Sequence, residues 1–218
     1  AITGISGLAS GTAQTTIGGS LTNSTNAPIN VTYVVTPTSG SCTGSSFNVV
    51  VTVNPRPAIN NMTATICSGS AFTTAPVNVT NGVVPAGTTY TWTVAPNANV
   101  TGASNQTTAV SSIGQTLTNT TNTVQTVVYT VTPISGSCSG ATFTVTVTVN
   151  PTPTVTAQAA TICSGAAFSV APINGSGNIV PTGTTYSWSA PAAITGISGL
   201  ASGTAQTTIG GTLTNATN

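Results

Sequence analysis

The sequence repeats itself, and this repeat constrains the fold more than any other feature. Cys42 recurs as Cys138, 96 residues later, and the whole segment Pro37–Cys42 returns with it as residues 133–138. The opening 26 residues return almost unchanged as residues 193–218, two such periods later. The copies align without insertion or deletion. The period therefore predicts an array of similar units rather than one large domain.

Two segments of the form Asn-Pro-x-Pro, Asn54–Pro57 and Asn150–Pro153, mark the boundaries between units. Proline has no N–H to give to a strand ladder and restricts the residue before it, so these segments are expected to be short, stiff linkers. On this division residues 1–57 are the back part of one repeat, 58–153 are a complete repeat, and 154–218 are the front part of a further one.

Two explanations fit a chain that begins and ends inside a repeat. The first is that the chain is a window onto a longer array. The second is that the end pieces of different molecules complete each other, as in donor-strand assembly. Against the second, both end pieces contain the same 26 residues, so that one copy would be redundant.

Alternating residues predict the strands of the complete repeat. Residues 143–149 read Phe-Thr-Val-Thr-Val-Thr-Val, which is typical of a strand with one buried and one solvent-exposed face. Residues 129–133 alternate in the same way, and the turn at 135–140 joins the two strands into a hairpin. Further strands are expected at 64–66, 71–79 and 90–94, with one or two more within 107–118. About seven short strands with a Trp on the third predict an all-β, immunoglobulin-like sandwich.

The composition excludes most kinds of chemistry. Arg56 is the only charged residue, and Asp, Glu and His are absent. The chain has no side chain that could act as the base in acid–base catalysis or activate a nucleophile. It also has no basic surface to which nucleic acid could bind. No apolar run approaches the length of a membrane span, and the first residues do not resemble a signal peptide. We therefore expect no enzyme activity, no cofactor, no metal and no membrane insertion, and a solvated Arg56 in its linker.

The cysteines recur with the repeat, two in each copy: Cys42, Cys67, Cys138 and Cys163. Zinc is disfavoured because no His and no Cys-x-x-Cys pair is present, whereas cysteines at a fixed period suggest disulfides in an oxidising compartment. Three arrangements stay open. Cys67 pairs with Cys138 inside the repeat, or the first turn of one repeat pairs with the last hairpin turn of the next, or the thiols are free. The first requires two ends of a sandwich to come within about 7 Å.

The order of these motifs resembles the PKD-like repeats of large surface proteins in Bacteroidetes-type bacteria. The residues that carry the resemblance run from Ile66–Gly69 through Tyr90–Trp92 to Pro133–Cys138, ending at Val147–Pro151. The resemblance implies an extracellular, immunoglobulin-like β-sandwich repeat in an adhesin or surface filament, located at the cell surface and without catalytic residues.

Two functions follow as hypotheses. In the first, neighbouring repeats of the same protein self-assemble into a stalk or filament, which the near absence of charge favours. In the second, each repeat binds a glycan or a surface through the loops at 81–88 and 95–106, although the second loop diverges between copies. A sugar-binding platform could be built from Tyr90, Trp92 and Tyr129. Aromatic residues at the spacing of a strand face are more often part of the core, however, and we expect these three to be core.

Overall fold

The computed structural model describes residues 1–217, which form strands and loops. Within these residues there is no helix of the length and apolar character needed to cross a membrane. The first 57 residues contain β1 (Ile5–Ser6), β2 (Thr22–Asn23), β3 (Ile29–Val35), β4 (Thr38–Ser39), β5 (Cys42–Thr43) and β6 (Phe47–Val53). The next part contains β7 (Ala58–Ile59), β8 (Met62–Cys67), β9 (Ala71–Thr74), β10 (Gly82–Val83), β11 (Thr89–Val94), β12 (Val100–Thr101), β13 (Gln106–Val110), β14 (Ile113–Thr116), β15 (Thr118–Asn119), β16 (Gln125–Ser135), β17 (Cys138–Ser139) and β18 (Phe143–Asn150). The last part contains β19 (Ala167–Val170), β20 (Tyr186–Trp188), β21 (Ile197–Ser198), β22 (Gly203–Gln206), β23 (Ile209–Thr212) and β24 (Thr214–Asn215).

Residues 58–153 form a two-layer sandwich. One layer has the strand order β13-β11-β16-β18-β8, and the other is the antiparallel pair β9–β14. All neighbours in the large layer are antiparallel except β18 and β8, which run parallel. Seven of the strands in this part have four residues or more. The expected all-β, immunoglobulin-like sandwich is confirmed.

The core of the sandwich follows from the alternation in β16 and β18. Their inward residues are almost completely buried: Val127, Tyr129, Val131, Phe143, Val145, Val147 and Val149. Phe72 of β9 meets the Tyr129 ring at a centroid distance of 5.2 Å, and Trp92 of β11 meets it edge-on at 6.3 Å. Such tilted and edge-to-face contacts are the favoured geometry of aromatic pairs. The three aromatic residues of the strand pattern, Tyr90, Trp92 and Tyr129, are therefore part of the core, as expected.

Three of the expected strands differ from those observed, and the one expected at 129–133 spans Gln125–Ser135 as β16. The strand placed at 64–66 spans Met62–Cys67, because its parallel partner β18 continues in both directions. The strand placed at 71–79 ends at Thr74. Pro76 has no N–H to donate and restricts Ala75, so the ladder with β14 stops there.

The copies are also not strictly in register. Val100 pairs with Asn119, which is 19 positions further on, whereas Ile197 pairs with Asn215, 18 positions on. The indole N–H of Trp92 donates to the carbonyl of Ser104, and that of Trp188 donates to Ala201. The third copy is therefore shifted by one residue in this loop, and the shift is recovered before β23. The alignment without insertion or deletion was wrong here, and part of the divergence in the 95–106 loop comes from it.

Alkaline pH is expected to weaken the sandwich through Tyr129. Burial raises the pKa of Tyr129 to about 12, whereas an unfolded tyrosine titrates near 10. The stability that this group contributes is complete below about pH 10 and is lost as pH rises through about 12. We expect Tyr129→Phe to flatten the fall in unfolding free energy over this range, measured by urea unfolding at a series of pH values.

The same substitution also removes the 3.0 Å hydrogen bond from the Tyr129 hydroxyl to Gln115 Oε1, so it is expected to destabilise the protein at pH 8. Parallel pH profiles of the two proteins above pH 10 would contradict the assignment.

Candidate functional site

The first surface of interest is one face of the hairpin β3–β6 near the amino terminus. Its residues occupy the same positions as β16 and β18 in the complete sandwich and carry the same seven core side chains: Val31, Tyr33, Val35, Phe47, Val49, Val51 and Val53. Phe47 is 47% exposed, whereas its counterpart Phe143 is 2% exposed. Among the described residues of this face, Phe47 and Val51 are exposed, whereas Val31 is buried.

The second surface is a groove in the last part of the chain. Residues 154–217 retain the small layer as β19–β23, but these described residues contain no equivalent of the β16–β18 hairpin. Phe168, Ile209 and Leu213 line an open groove of about 320 Å³, whereas their counterparts Phe72, Ile113 and Leu117 are buried. The stretch 158–163, which corresponds to β8, does not form a strand. No described residue pairs with this stretch in the way that β18 pairs with β8.

A buried asparagine ties the two halves of the complete sandwich together. Asn119 Nδ2 donates to the carbonyls of Thr123 and Val149, at 2.7 and 3.0 Å. Its Oδ1 accepts from the Thr121 backbone and hydroxyl, at 2.9 and 2.8 Å. Asn119 is 2% exposed and all its hydrogen-bonding groups are used, so it is a favourable buried polar residue. We call this arrangement the asparagine clasp.

The clasp recurs with one member missing in the last part. In the first part, Asn23 Nδ2 donates to Val53, the last residue of β6, at 2.8 Å. In the last part, Asn215 keeps the bonds from Thr217 to its Oδ1, and Ser164 Oγ still bonds both backbone groups of Asn215. Its Nδ2, however, donates to no described residue. The clasp there is assembled except for the carbonyl of a last strand.

The joint between the first part and the sandwich combines buried prolines and one close backbone contact with an open cavity. Pro55 and Pro57 are buried, and Arg56 between them is exposed, as expected. A Cβ added to Gly140, after the hairpin turn of the sandwich, would overlap the carbonyl oxygen of Pro57. Cys138 of that turn lines a cavity of about 480 Å³ together with residues of the first part, including Asn54. The hairpin turn of the sandwich therefore packs against the proline linker that joins the sandwich to the first part.

The four candidate disulfide residues are unpaired within the described residues. Cys67 is opposite Asn150 at one end of β18, whereas Cys138 pairs with Ser135 at the far end of β16. The length of β16 separates the two cysteines by roughly 30 Å at about 3.3 Å per residue. A bond within the repeat is incompatible with this geometry, because a disulfide needs Cα atoms within about 7 Å.

The loops proposed for ligand binding use most of their polar groups internally. Asn78 and Asn81 accept from the backbones of Val84 and Val77, at 2.9 and 2.8 Å, which fixes the first loop. In the second loop, the carbonyl of Ser104 accepts from Trp92 and also from Gln115. Internal hydrogen bonds therefore hold these loops in place as connections between strands.

Sequence reasoning missed the asparagine clasp. The signal was present: Leu-Thr-Asn recurs at residues 21–23, 117–119 and 213–215. The pattern indicates a repeated motif, but only the strand pairing reveals that its amide reaches the last strand of the sandwich.

Removing the clasp is expected to destabilise the complete sandwich. Asn119→Ala leaves the buried carbonyl of Val149 and the half-buried N–H of Thr121 without their Asn119 partner, at an expected cost of about 2–4 kcal/mol. Asn215→Ala is the matched control and is expected to cost less than about 1 kcal/mol, because its amide reaches no strand. Urea unfolding followed by Trp92 in a Trp188→Phe background measures the central sandwich for Asn119→Ala, and unfolding followed by Trp188 in a Trp92→Phe background measures the last part for Asn215→Ala. Equal losses in the two variants would contradict the role of the clasp.

A second substitution tests the packing of the joint. Gly140→Ala forces a methyl group against the Pro57 carbonyl and is expected to destabilise the sandwich by about 1–3 kcal/mol. Gly44, at the same position of the first hairpin turn, has only the neighbouring Pro37 close by. Gly44→Ala is therefore expected to be milder when the unfolding of the whole chain is followed by far-UV circular dichroism for both variants, and an equal effect would show that the linker contact is unimportant.

A family model described as the PKD-like domain matches residues 1–57 and 64–153. Both matched segments end at the second proline of an Asn-Pro-x-Pro linker. A comparison with curated proteins gave no match. The matched segments contain the β3–β6 hairpin, the asparagine clasp and the sandwich from residue 64 onward, and the chain belongs to the PKD-like domain family.

Proposed function

We propose that this chain is a structural segment of a bacterial surface protein, in which successive PKD-like repeats form a stalk or filament without catalytic activity. The observation that carries the proposal is the joint between the first part and the sandwich. Two buried prolines, and a hairpin turn that packs against the second of them, are the features expected of a linker that holds neighbouring units in a fixed direction.

The location and the chemistry of the chain agree with this role. PKD-like domains typically occur in extracellular or surface proteins. With Arg56 as its single charged side chain, the protein carries almost no like-charge repulsion to keep neighbouring repeats apart. Binding of a glycan through the loops has less support, because their polar groups already serve the fold.

Electron microscopy of the 218-residue chain tests the structural role. The longest strand of the sandwich has eleven residues, so one repeat is expected to advance roughly 40 Å along the particle, loops included, at about 3.3 Å per residue. Class averages should show elongated particles with a narrow range of bending at the joint.

The double variant Pro55→Gly, Pro57→Gly is the control for stiffness, and it should broaden the distribution of bend angles. A compact globule without a long axis would overturn the stalk or filament role. Identical bend distributions would overturn the assignment of stiffness to the linker.

A further inference from the structure

We propose that the complete sandwich bears tension applied through its two linkers, and that the parallel strand pair β8–β18 is the part of the fold that resists it. We call this pair the shear clamp. The inference rests on the proposed structural role and adds to it a mechanical function, that of holding a repeat folded while its ends are pulled apart. The clamp lies entirely within residues 58–153, which have a proline linker on each side.

The two linkers apply the load at opposite ends of the clamp. The linker before the sandwich ends at Pro57, close to Met62, where β8 begins, and the linker after it starts at Asn150, where β18 ends. The strands are parallel over six residue pairs, from Met62 beside Val145 to Cys67 beside Asn150. Tension therefore draws β8 toward one end of the sandwich and β18 toward the other. The load acts along the strands, as shear, rather than across them.

A strand pair loaded in shear is harder to separate than one that is peeled from its end. Peeling breaks the hydrogen bonds of the pair one after another, and each of them alone is weak. Shear divides the load among all the bonds of the pair, which must then break together. Forced unfolding is governed by the unfolding rate rather than by the equilibrium free energy. The direction of the load therefore changes the unfolding force of a protein whose equilibrium stability is the same.

Further hydrogen bonds lengthen the clamp beyond the strands at both ends. At the first end, the side-chain oxygen Oδ1 of Asn61 accepts from the backbone N–H of Thr144, at 2.9 Å. At the second end, the N–H of Ser68 donates to the carbonyl of Asn150, at 2.8 Å. The hydroxyl of Thr152 donates in turn to the carbonyl of Ser68, at 3.1 Å. The contact thus continues into the linker through which the load enters.

The two strands of the clamp differ in how they are held by the remaining sandwich. β18 also pairs with β16 over seven residue pairs. Its inward residues Val145, Val147 and Val149 are completely buried, and Asn119 donates to the carbonyl of Val149 at 3.0 Å. β8 has β18 as its only strand partner among the described residues. Separation of β8 from β18 is therefore the step that the load must force.

The other strand pair next to the first linker is smaller. β7 pairs with β10 over two residue pairs, and the N–H of Asn60 adds one bond to the carbonyl of Asn81, at 2.9 Å. We expect this pair to open before the clamp and to release only the few residues that precede Met62.

Single-molecule force spectroscopy on the 218-residue protein tests the proposal. One variant, with Thr152→Cys and with Cys42, Cys138 and Cys163 replaced by serine, serves for both pulling directions. Peptide tags at the two chain ends load the clamp in shear. Thiol handles on the exposed Cys67 and on position 152 pull on the same end of both strands and peel them apart. The sandwich is identified by the length it releases, roughly 300 Å at about 3.3 Å per residue.

At equal loading rate, the sandwich is expected to unfold at a force about twofold or more higher when pulled from the chain ends than when peeled. Because the protein is the same in both measurements, its equilibrium stability is the same, and the difference reports the direction of the load alone. An equal force in the two directions, or a higher force on peeling, overturns the proposal.

Two proline substitutions in β8 supply a matched pair. In a parallel pair every second residue bonds to the neighbouring strand, and Ser68 donates to β18, so Ala64 does so too, whereas the N–H of Thr65 faces the free edge. Ala64→Pro is expected to lower the force measured from the chain ends, and Thr65→Pro to leave it nearly unchanged. Equal losses would contradict the clamp. If Ala64→Pro does not fold, the comparison of the two pulling directions still decides.

The outcomes separate this inference from the structural role. Elongated particles under the microscope, together with an unfolding force that is independent of direction, leave the stalk or filament role in place and overturn the clamp. A compact globule overturns the structural role and, with it, the bearing of tension, even where the force depends on direction.

Discussion

The rest of the complete sandwich depends on the contact between its last hairpin, β16–β18, and its first long strand, β8. In residues 58–153, β18 gives β8 its only parallel neighbour, and β16 and β18 supply half of the core. In the described residues 154–217, which contain no such hairpin, residues 158–163 form no strand and the small layer borders an open groove. A PKD-like unit is thus closed late in its sequence, by its final 30 residues or so.

In this protein, neutral amide and hydroxyl groups make the side-chain contacts between turns and strands that charged groups make in many other proteins. The Asn119 clasp and the Ser68 hydroxyl, which bonds both backbone groups of Asn119, hold the first turn to the last strand. Neutral hydrogen bonds are individually weaker than ion pairs with good geometry, but they carry no cost of burying a charge. They also leave the surface without long-range repulsion, so that contact between units is decided by shape and by the register of strands.

The sequence predicted those parts of the fold that depend on local alternation. β11, β16 and β18 follow from period-two patterns, and the burial of Trp92 and Tyr129 follows from their place on one strand face. The parallel pairing of β8 with β18 was not predictable, because no local pattern encodes a partner some 80 residues away. β7 and β10, with two residues each, arise where Gly82 lets two backbones come close. Pro76 and the one-residue shift after Trp92 show how single residues alter a strand end or a loop without disturbing the repeat.

The identity of core residues from copy to copy also sets a condition on the order of folding. A hairpin that fits the groove of its own repeat fits that of a neighbour equally well, so an array released from denaturant all at once is prone to exchanged pairings. A chain that emerges from its amino terminus avoids this choice wherever the hairpin of a completed repeat, such as β16–β18, is already enclosed when the next groove forms. Directional emergence, rather than any difference in sequence between the copies, then ensures that each repeat closes on itself.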